Sequence, residues 1–204
     1  MYCEDYTKGN MPIPPVVLAL PGWVEELVSD PDRAYPDPEE RMRLAIALAR
    51  MNVKRGTGGP FGAAVFELDT FRLLAPGVNR VIPESCSLAH AETMALMLAQ
   101  KRSGSFDLAA PGLPACELAA SAEPCAMCYG ALPWSGIRRL AFGALGEDVA
   151  AIGFDEGHKP ADWIEALRKR GIEVVPGLLR GEARAVLEAY RDAGGIIYNA
   201  GRKG

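Results

Sequence analysis

Histidine is scarce in this chain of 204 residues, which holds only His90 and His158. Any chemistry that needs an imidazole must run through one of those two positions. Cysteine is sparse as well. Five are present, an odd number, and only Cys125 and Cys128 lie close together. That excludes a dense disulfide framework and suits a reducing cytosol. A basic excess is missing, with 22 Lys and Arg against 26 Asp and Glu and a net charge of −4. Such a balance argues against a protein that grips a phosphate backbone, so nucleic acid is not an expected partner. Long apolar runs are absent too. Residues 13–20 are apolar but short, broken by Pro14 and Pro15, and no basic segment precedes them. Neither a signal peptide nor a membrane span is expected, and the reading is cytoplasmic.

What is present suffices for one well-packed domain: 49% of residues are hydrophobic and 24% charged. Residues 1–36 are proline-rich and irregular in period, and read as an N-terminal arm with one short helix from Trp23 to Val28. A partly disordered tail fits the same composition. The domain is expected to fill 37–204. It opens on Asp37-Pro38-Glu39-Glu40, an N-cap carboxylate, a proline at the first helical position and an acidic first turn. That helix should reach about Val53.

Two apolar runs, Ala63 to Leu68 and Arg72 to Val78, predict a β-hairpin. Helices are expected from about Ala89 to Arg102, Cys125 to Trp134, Asp148 to Ile152, Ala161 to Lys169 and Glu182 to Ala193. Strands are expected at Cys116 to Ser121, Leu140 to Gly143 and Ile172 to Val175. Strands alternating with helices imply an α/β domain, a three-layer α/β/α sandwich with crossovers joining parallel strands after the hairpin.

The chemistry concentrates in two short segments. Ala89-His90-Ala91-Glu92 opens one helix, and Pro124-Cys125-Ala126-Met127-Cys128 opens the next. Each is weak alone. A lone histidine is more often a hydrogen-bonded core residue than a ligand, and a Cys-x-x-Cys pair is also compatible with a redox couple or half a structural zinc site. A structural site needs four protein ligands, and no second Cys-x-x-Cys is present. Together, one imidazole and two thiolates make three ligands with a fourth position open to water, the catalytic zinc pattern. Helix N-termini favour thiolates, and residues three apart share a helix face. Zinc lowers the pKa of its bound water towards ~7, so a zinc-bound hydroxide is the expected nucleophile. Glu92 would shuttle its proton to a ring nitrogen and the leaving amine. A glutamate in the first turn of a helix is otherwise an ordinary solvated residue favoured by the dipole.

His-x-Glu with Pro-Cys-x-x-Cys is the signature of zinc nucleobase deaminases. On these residues the chain resembles the cytidine deaminase-like superfamily. With Gly58-Gly59-Pro60-Phe61-Gly62-Ala63, Glu123-Pro124-Cys125 with Cys128, and Gly153-Phe154-Asp155-Glu156, it is most similar to the guanine deaminase branch, from Asp37 to Tyr198. The resemblance implies a central five-stranded mixed sheet. It implies one catalytic zinc ion on His90, Cys125 and Cys128, with Glu92 and Glu156 as catalytic carboxylates. It implies that Asn79 hydrogen-bonds the base, that Phe61 packs on its ring and that Trp134 walls the pocket. Ala91, Asp155 and Tyr198 complete the substrate-binding set. The expected reaction is guanine to xanthine plus ammonia, in a homodimer whose tail, Ile196-Ile197-Tyr198-Asn199, crosses to the partner.

Other readings of single residues stay open at this level. Asn79 also reads as a turn residue, Phe61 and Trp134 as core aromatics, Glu156 as a solvated loop residue, and the tail as a packed terminal strand. His158 is expected to face solvent. Cys3, Cys86 and Cys116 are expected to be unliganded, with Cys86 the one to check because it lies four residues before His90. Rival substrates are an aminotriazine such as ammeline, cytosine, a deoxycytidylate or tRNA adenosine. Against a nucleotide, the two expected pocket loops, 79–89 and 153–160, contribute only Arg80 and Lys159 as cations. A non-catalytic zinc-binding scaffold is the rival of another class.

Overall fold

The computed structural model describes residues 15–199. The calls on residues 1–14, including Cys3, lie outside them. Within the arm, α1 (Trp23–Leu27) buries Trp23 and Val24 against the domain. Tyr35 is also buried, and Arg41 donates to its carbonyl oxygen and to that of Pro36. The same guanidinium meets the Glu117 carboxylate at 2.9 Å, with both side chains almost wholly buried. This pair ties the end of the arm to the sheet, since a charge buried there without its partner would cost several kcal/mol, ~3–5.

The helix opened by Asp37 is α2 (Pro38–Lys54), and the Asp37 carboxylate caps it by accepting from the Glu39 amide at 2.9 Å. The hairpin forms from β1 (Gly62–Glu67) and β2 (Leu73–Val78). There follow α3 (Ala91–Ser103), β3 (Cys116–Ala122), α4 (Ala126–Ser135), β4 (Arg139–Ala144), α5 (Gly146–Ala151), α6 (Trp163–Lys169), β5 (Glu173–Val175) and α7 (Arg180–Asp192).

The sheet order is β2-β1-β3-β4-β5. β1 runs antiparallel to both neighbours, whereas β3, β4 and β5 are parallel. The five-stranded mixed sheet and three layers are therefore as expected. One core lies between the sheet and α2, α5 and α7, and a second between the sheet and α3, α4 and α6. Strand interiors rich in alanine let the helices sit close. Gly77 on β2 shows this beneath α3: a Cβ there would lie 2.2 Å from the Ala91 carbonyl oxygen and 2.6 Å from the Ala95 nitrogen. Only glycine permits α3 to press its first turn onto the strand. Among the described residues, no helix is long and apolar enough to cross a membrane.

Candidate active site

Strands β2 and β3, each antiparallel to the β1 that lies between them, run the same way and deliver the N-terminal ends of α3 and α4 to the same end of the sheet. His90 is the N-cap of α3 and Cys125 the N-cap of α4, both with extended backbone, so each helix proper begins one residue later. Glu92 and Cys128 then sit in the respective first turns. The ligand atoms of His90, Cys125 and Cys128 all lie within 4.8 Å of one another, the one such group among the described residues. His90 Nδ1 is 3.5 Å from Cys125 Sγ and 3.6 Å from Cys128 Sγ. Tetrahedral zinc with Zn–S near 2.3 Å and Zn–N near 2.0–2.1 Å places its nitrogen and sulfur ligands ~3.6 Å apart. The residues fit that ion with three donors and leave room for a fourth ligand. Cys86 is half-buried and stands outside the group, and Cys116 is buried with its thiol pushed up to about 11 by burial.

Electrostatics in the metal-free protein agree with a site built for a cation. The Cys128 hydrogen bond, against the opposing effect of burial and aided by His90, draws the Cys125 thiol down to about 4, and Cys128 as donor is pushed up. Burial raises the Glu92 carboxyl, and the Cys125 sulfur adds to this. Burial opposes the charged form of His90, yet the Cys125 sulfur and the carboxylates of Glu92 and Glu156 outweigh it and raise the imidazole. Glu156 is pushed up to about 8 by burial and by Cys125 and Glu92, with Lys159 and His90 pulling the other way.

These groups open into a cleft of about 520 Å³. His90, Cys125, Glu92, Glu156, Asp155 and Phe61 line it. Phe154 packs edge-on to both Phe61 and Tyr198, with ring centroids 5.2 and 5.1 Å apart. Tyr198 and Asn199 belong to the tail, which in this chain lies over its own cleft. The tail is fastened by Asn199, whose amide donates to the Gly153 carbonyl oxygen at 2.8 Å and whose oxygen accepts from the Asp155 amide at 2.9 Å.

Several expected residues sit differently. Asn79 is fully buried behind the cleft wall. Its amide donates to the Tyr198 hydroxyl at 2.5 Å and its oxygen accepts from Val81 N at 3.3 Å. Its backbone is fixed in turn by Asn52, which donates to the Asn79 and Gly59 carbonyl oxygens at 2.8 and 2.9 Å. Trp134 does not wall the pocket. It is 82% exposed at the far end of α4, and nine positions beyond Cys125 on a helix amount to about 13 Å. Ala91 is not part of the cleft lining either. Its side chain is buried in the core beneath α3. His158 is exposed, as expected.

Glu123 belongs to the motif that carries the resemblance, yet the sequence alone assigns it no role of its own. It lines the cleft and sits two residues before Cys125, at the strand end where side chains face the site. Its carboxylate accepts from Gly146 N at 3.0 Å and from Lys159 Nζ at 2.5 Å. Its place directly before Pro-Cys-x-x-Cys was the available signal. The loop cations are both engaged inside the protein. Arg80 donates to the Thr57 carbonyl oxygen and to Glu84 at 2.7 Å, and Lys159 is held by Glu123 and the Pro124 carbonyl oxygen.

The family model for the cytidine and deoxycytidylate deaminase zinc-binding region matches residues 36–144. The chain is similar to a guanine deaminase from Nitrosomonas europaea, with 48% identity, a TM-score of 0.83, and 90% of this chain and 100% of that one covered. A structure of the protein NE0047 in complex with 2,6-diaminopurine is 50% identical with a TM-score of 0.85, covering 91% of this chain and 97% of that one. A probable cytosine deaminase from Schizosaccharomyces pombe is 33% identical over 172 residues, 82% of this chain and 96% of its own.

Proposed function

The chain belongs to the zinc-binding cytidine and deoxycytidylate deaminase family and is a hydrolytic aminohydrolase; from that premise we propose that its substrate is a free purine base, guanine, which it converts to xanthine and ammonia. The observation that carries this reading is the composition of the cleft. Beside the His90, Cys125 and Cys128 group it presents Glu92, Glu123, Asp155 and Glu156, and no lysine or arginine among the described residues lines it. A nucleotide would need cations for its phosphate, and the two loop candidates are already spent on protein acceptors. A neutral base with several N–H donors suits such walls, because carboxylates accept. The similarity to a guanine deaminase and to a protein solved with 2,6-diaminopurine supports a 2-aminopurine over a pyrimidine.

Zinc held by His90, Cys125 and Cys128 supplies Lewis-acid activation of water. Glu92, buried and with a raised carboxyl, takes one proton of the water and gives it to a ring nitrogen, then takes the second from the added hydroxyl and gives it to the departing amine. Water adds at C2, the C2–N bond breaks, and the nitrogen leaves as ammonia. Glu156 and Asp155 hold the base edge, and Phe61 and Phe154 flank the ring. Asn79 and Tyr198 act as a pair: the base displaces the Tyr198 hydroxyl from the Asn79 amide, or bonds to the pair through the hydroxyl. We hold the chain to be a homodimer, in which a second copy covers exposed apolar residues such as Met97 and Trp134; light scattering at a defined concentration checks this.

The test is ammonia release by zinc-loaded protein from guanine, 2,6-diaminopurine, ammeline, adenine, cytosine, cytidine and deoxycytidylate. Guanine is expected to be turned over well above the rest. Turnover of cytosine with guanine inert would overturn the purine reading and leave the deaminase in place.

A further inference from the structure

Lys159 is a cation held beside the cleft that the proton chemistry does not use. Its ammonium is 2.5 Å from Glu123 Oε1 and 2.7 Å from the Pro124 carbonyl oxygen, and lies 4.6 Å from the centre of the Trp163 ring. The side chain is only 10% exposed, and Glu123 is 15% exposed. Three residues earlier in the chain the same segment makes a second contact, where the Ala126 amide donates to the Glu156 carbonyl oxygen at 2.8 Å. Between the two, Gly157 has φ +68° and approaches α4 so closely that a Cβ would lie 2.9 Å from the Ala126 Cβ.

Glu156 to Lys159 is thus fastened at both ends to residues 123–126, the turn that carries Cys125. We propose that Lys159 is a positioning residue that clamps the Glu156-bearing loop to the metal-bearing turn and thereby fixes the Glu156 carboxyl against the bound base. This rests on the reading of Glu156 as the group that holds the base. An exposed ion pair would contribute little. This one is largely buried, joins two segments 36 positions apart and has a carbonyl as a third partner. Without Lys159, Glu123 would keep only the Gly146 amide, and a mostly buried carboxylate would lose its cation in a cleft already lined by Glu92, Asp155 and Glu156.

Four zinc-loaded variants test the clamp: Lys159→Met, Lys159→Arg, Glu156→Gln and Lys159→Met with Glu156→Gln. Lys159→Met is expected to keep one zinc per chain and to lose roughly tenfold or more in kcat/KM on guanine, with Lys159→Arg recovering most of it. In the Glu156→Gln background the same change should cost less than about threefold, because residues acting through one another are not additive. An equal loss in both backgrounds, or none in either, overturns the proposal. Amide hydrogen exchange without substrate reads the clamp directly. Lys159→Met should raise exchange at Ala126 and Gly157 by about tenfold while the β3 amides stay unchanged, as in local opening. Unaltered exchange at those amides also overturns it. Should Lys159→Met fail to fold, Glu123→Gln weakens the clamp from the acceptor side and is read the same way. If the wild-type protein releases no ammonia from guanine, the functional reading falls while the exchange result still decides the clamp.

Discussion

The cleft has two walls of different making. One consists of the first turns of α3 and α4, where His90, Glu92, Cys125 and Cys128 stand on helices packed against the sheet. The other consists of residues 153–160 and the tail. It has no regular structure at the cleft and hangs on contacts spanning 36, 44 and 46 positions: Lys159 to Glu123, Asp155 to Asn199 and Asn199 to Gly153. A metal and its proton carrier need placement within a fraction of an ångström, which helix ends on a sheet provide. A substrate has to enter and leave, and a wall fastened by a few polar contacts can yield for that. The difference teaches that chemistry and access are assigned to separate parts of the chain, so substitutions in the two walls should fail in different ways.

The largest effect should come from the rigid wall. Glu92→Gln is expected to keep zinc and fold while kcat falls roughly a thousandfold, the scale of a lost general acid–base group. Metal analysis beside steady-state kinetics checks it. Activity within a few-fold of wild type would remove Glu92 from the mechanism. Gly77→Ala attacks the same wall from behind, since its new Cβ would meet the Ala91 carbonyl oxygen. It should cost about 1–3 kcal/mol of stability by overpacking and lower zinc affinity by shifting His90. Thermal melts and a zinc titration read both.

The same division decides what the sequence disclosed. Fold and metal site were legible because their signals are local. Asp37-Pro38 marks a helix start, and apolar runs mark strands. His90 with Glu92, and Cys125 with Cys128, each fall within one helical turn. Element bounds moved by one or two residues, and at the site the starts moved inward, by two at α3 and one at α4, because a cap residue keeps extended backbone and stands outside the helix it begins. The loop wall was less legible. Nothing local says that Asn79 would meet Tyr198, 119 positions away, or that Glu123 would be held by Lys159. Trp134 was assigned to the pocket by resemblance, yet helix rise alone carries it away from the N-terminal end where the cleft opens.

The flexible wall should fail more mildly. Tyr198→Phe removes the hydroxyl that accepts from the buried Asn79 amide. An unpaired buried donor costs about 1–3 kcal/mol. That cost falls on the covered state, so the tail should loosen and KM for the base should change by roughly tenfold with kcat altered less. Equal losses in kcat for Tyr198→Phe and Glu92→Gln would erase the distinction between the walls.

The smallest effect should be a dependence of stability on pH in metal-free protein. The Glu156 carboxyl is raised from 4.5 to about 8, chiefly by burial and then by Cys125 and Glu92. The folded state therefore holds that proton more tightly than the unfolded chain does. Its contribution is fully present below about pH 4.5 and is lost as pH rises to about 8. Cys125, drawn down from 9.0 to about 4, acts with the opposite sign across the same interval, so the melting temperature of one protein alone does not isolate Glu156. The difference between wild type and Glu156→Gln does: it should move against the wild type as pH rises from about 5 to 8. Zinc should shrink that difference, because its positive charge favours the carboxylate it faces. A difference that stays flat in the metal-free pair would mean that Glu156 reaches solvent in solution. The loop wall would then be looser than its fastenings to residues 123–126 allow.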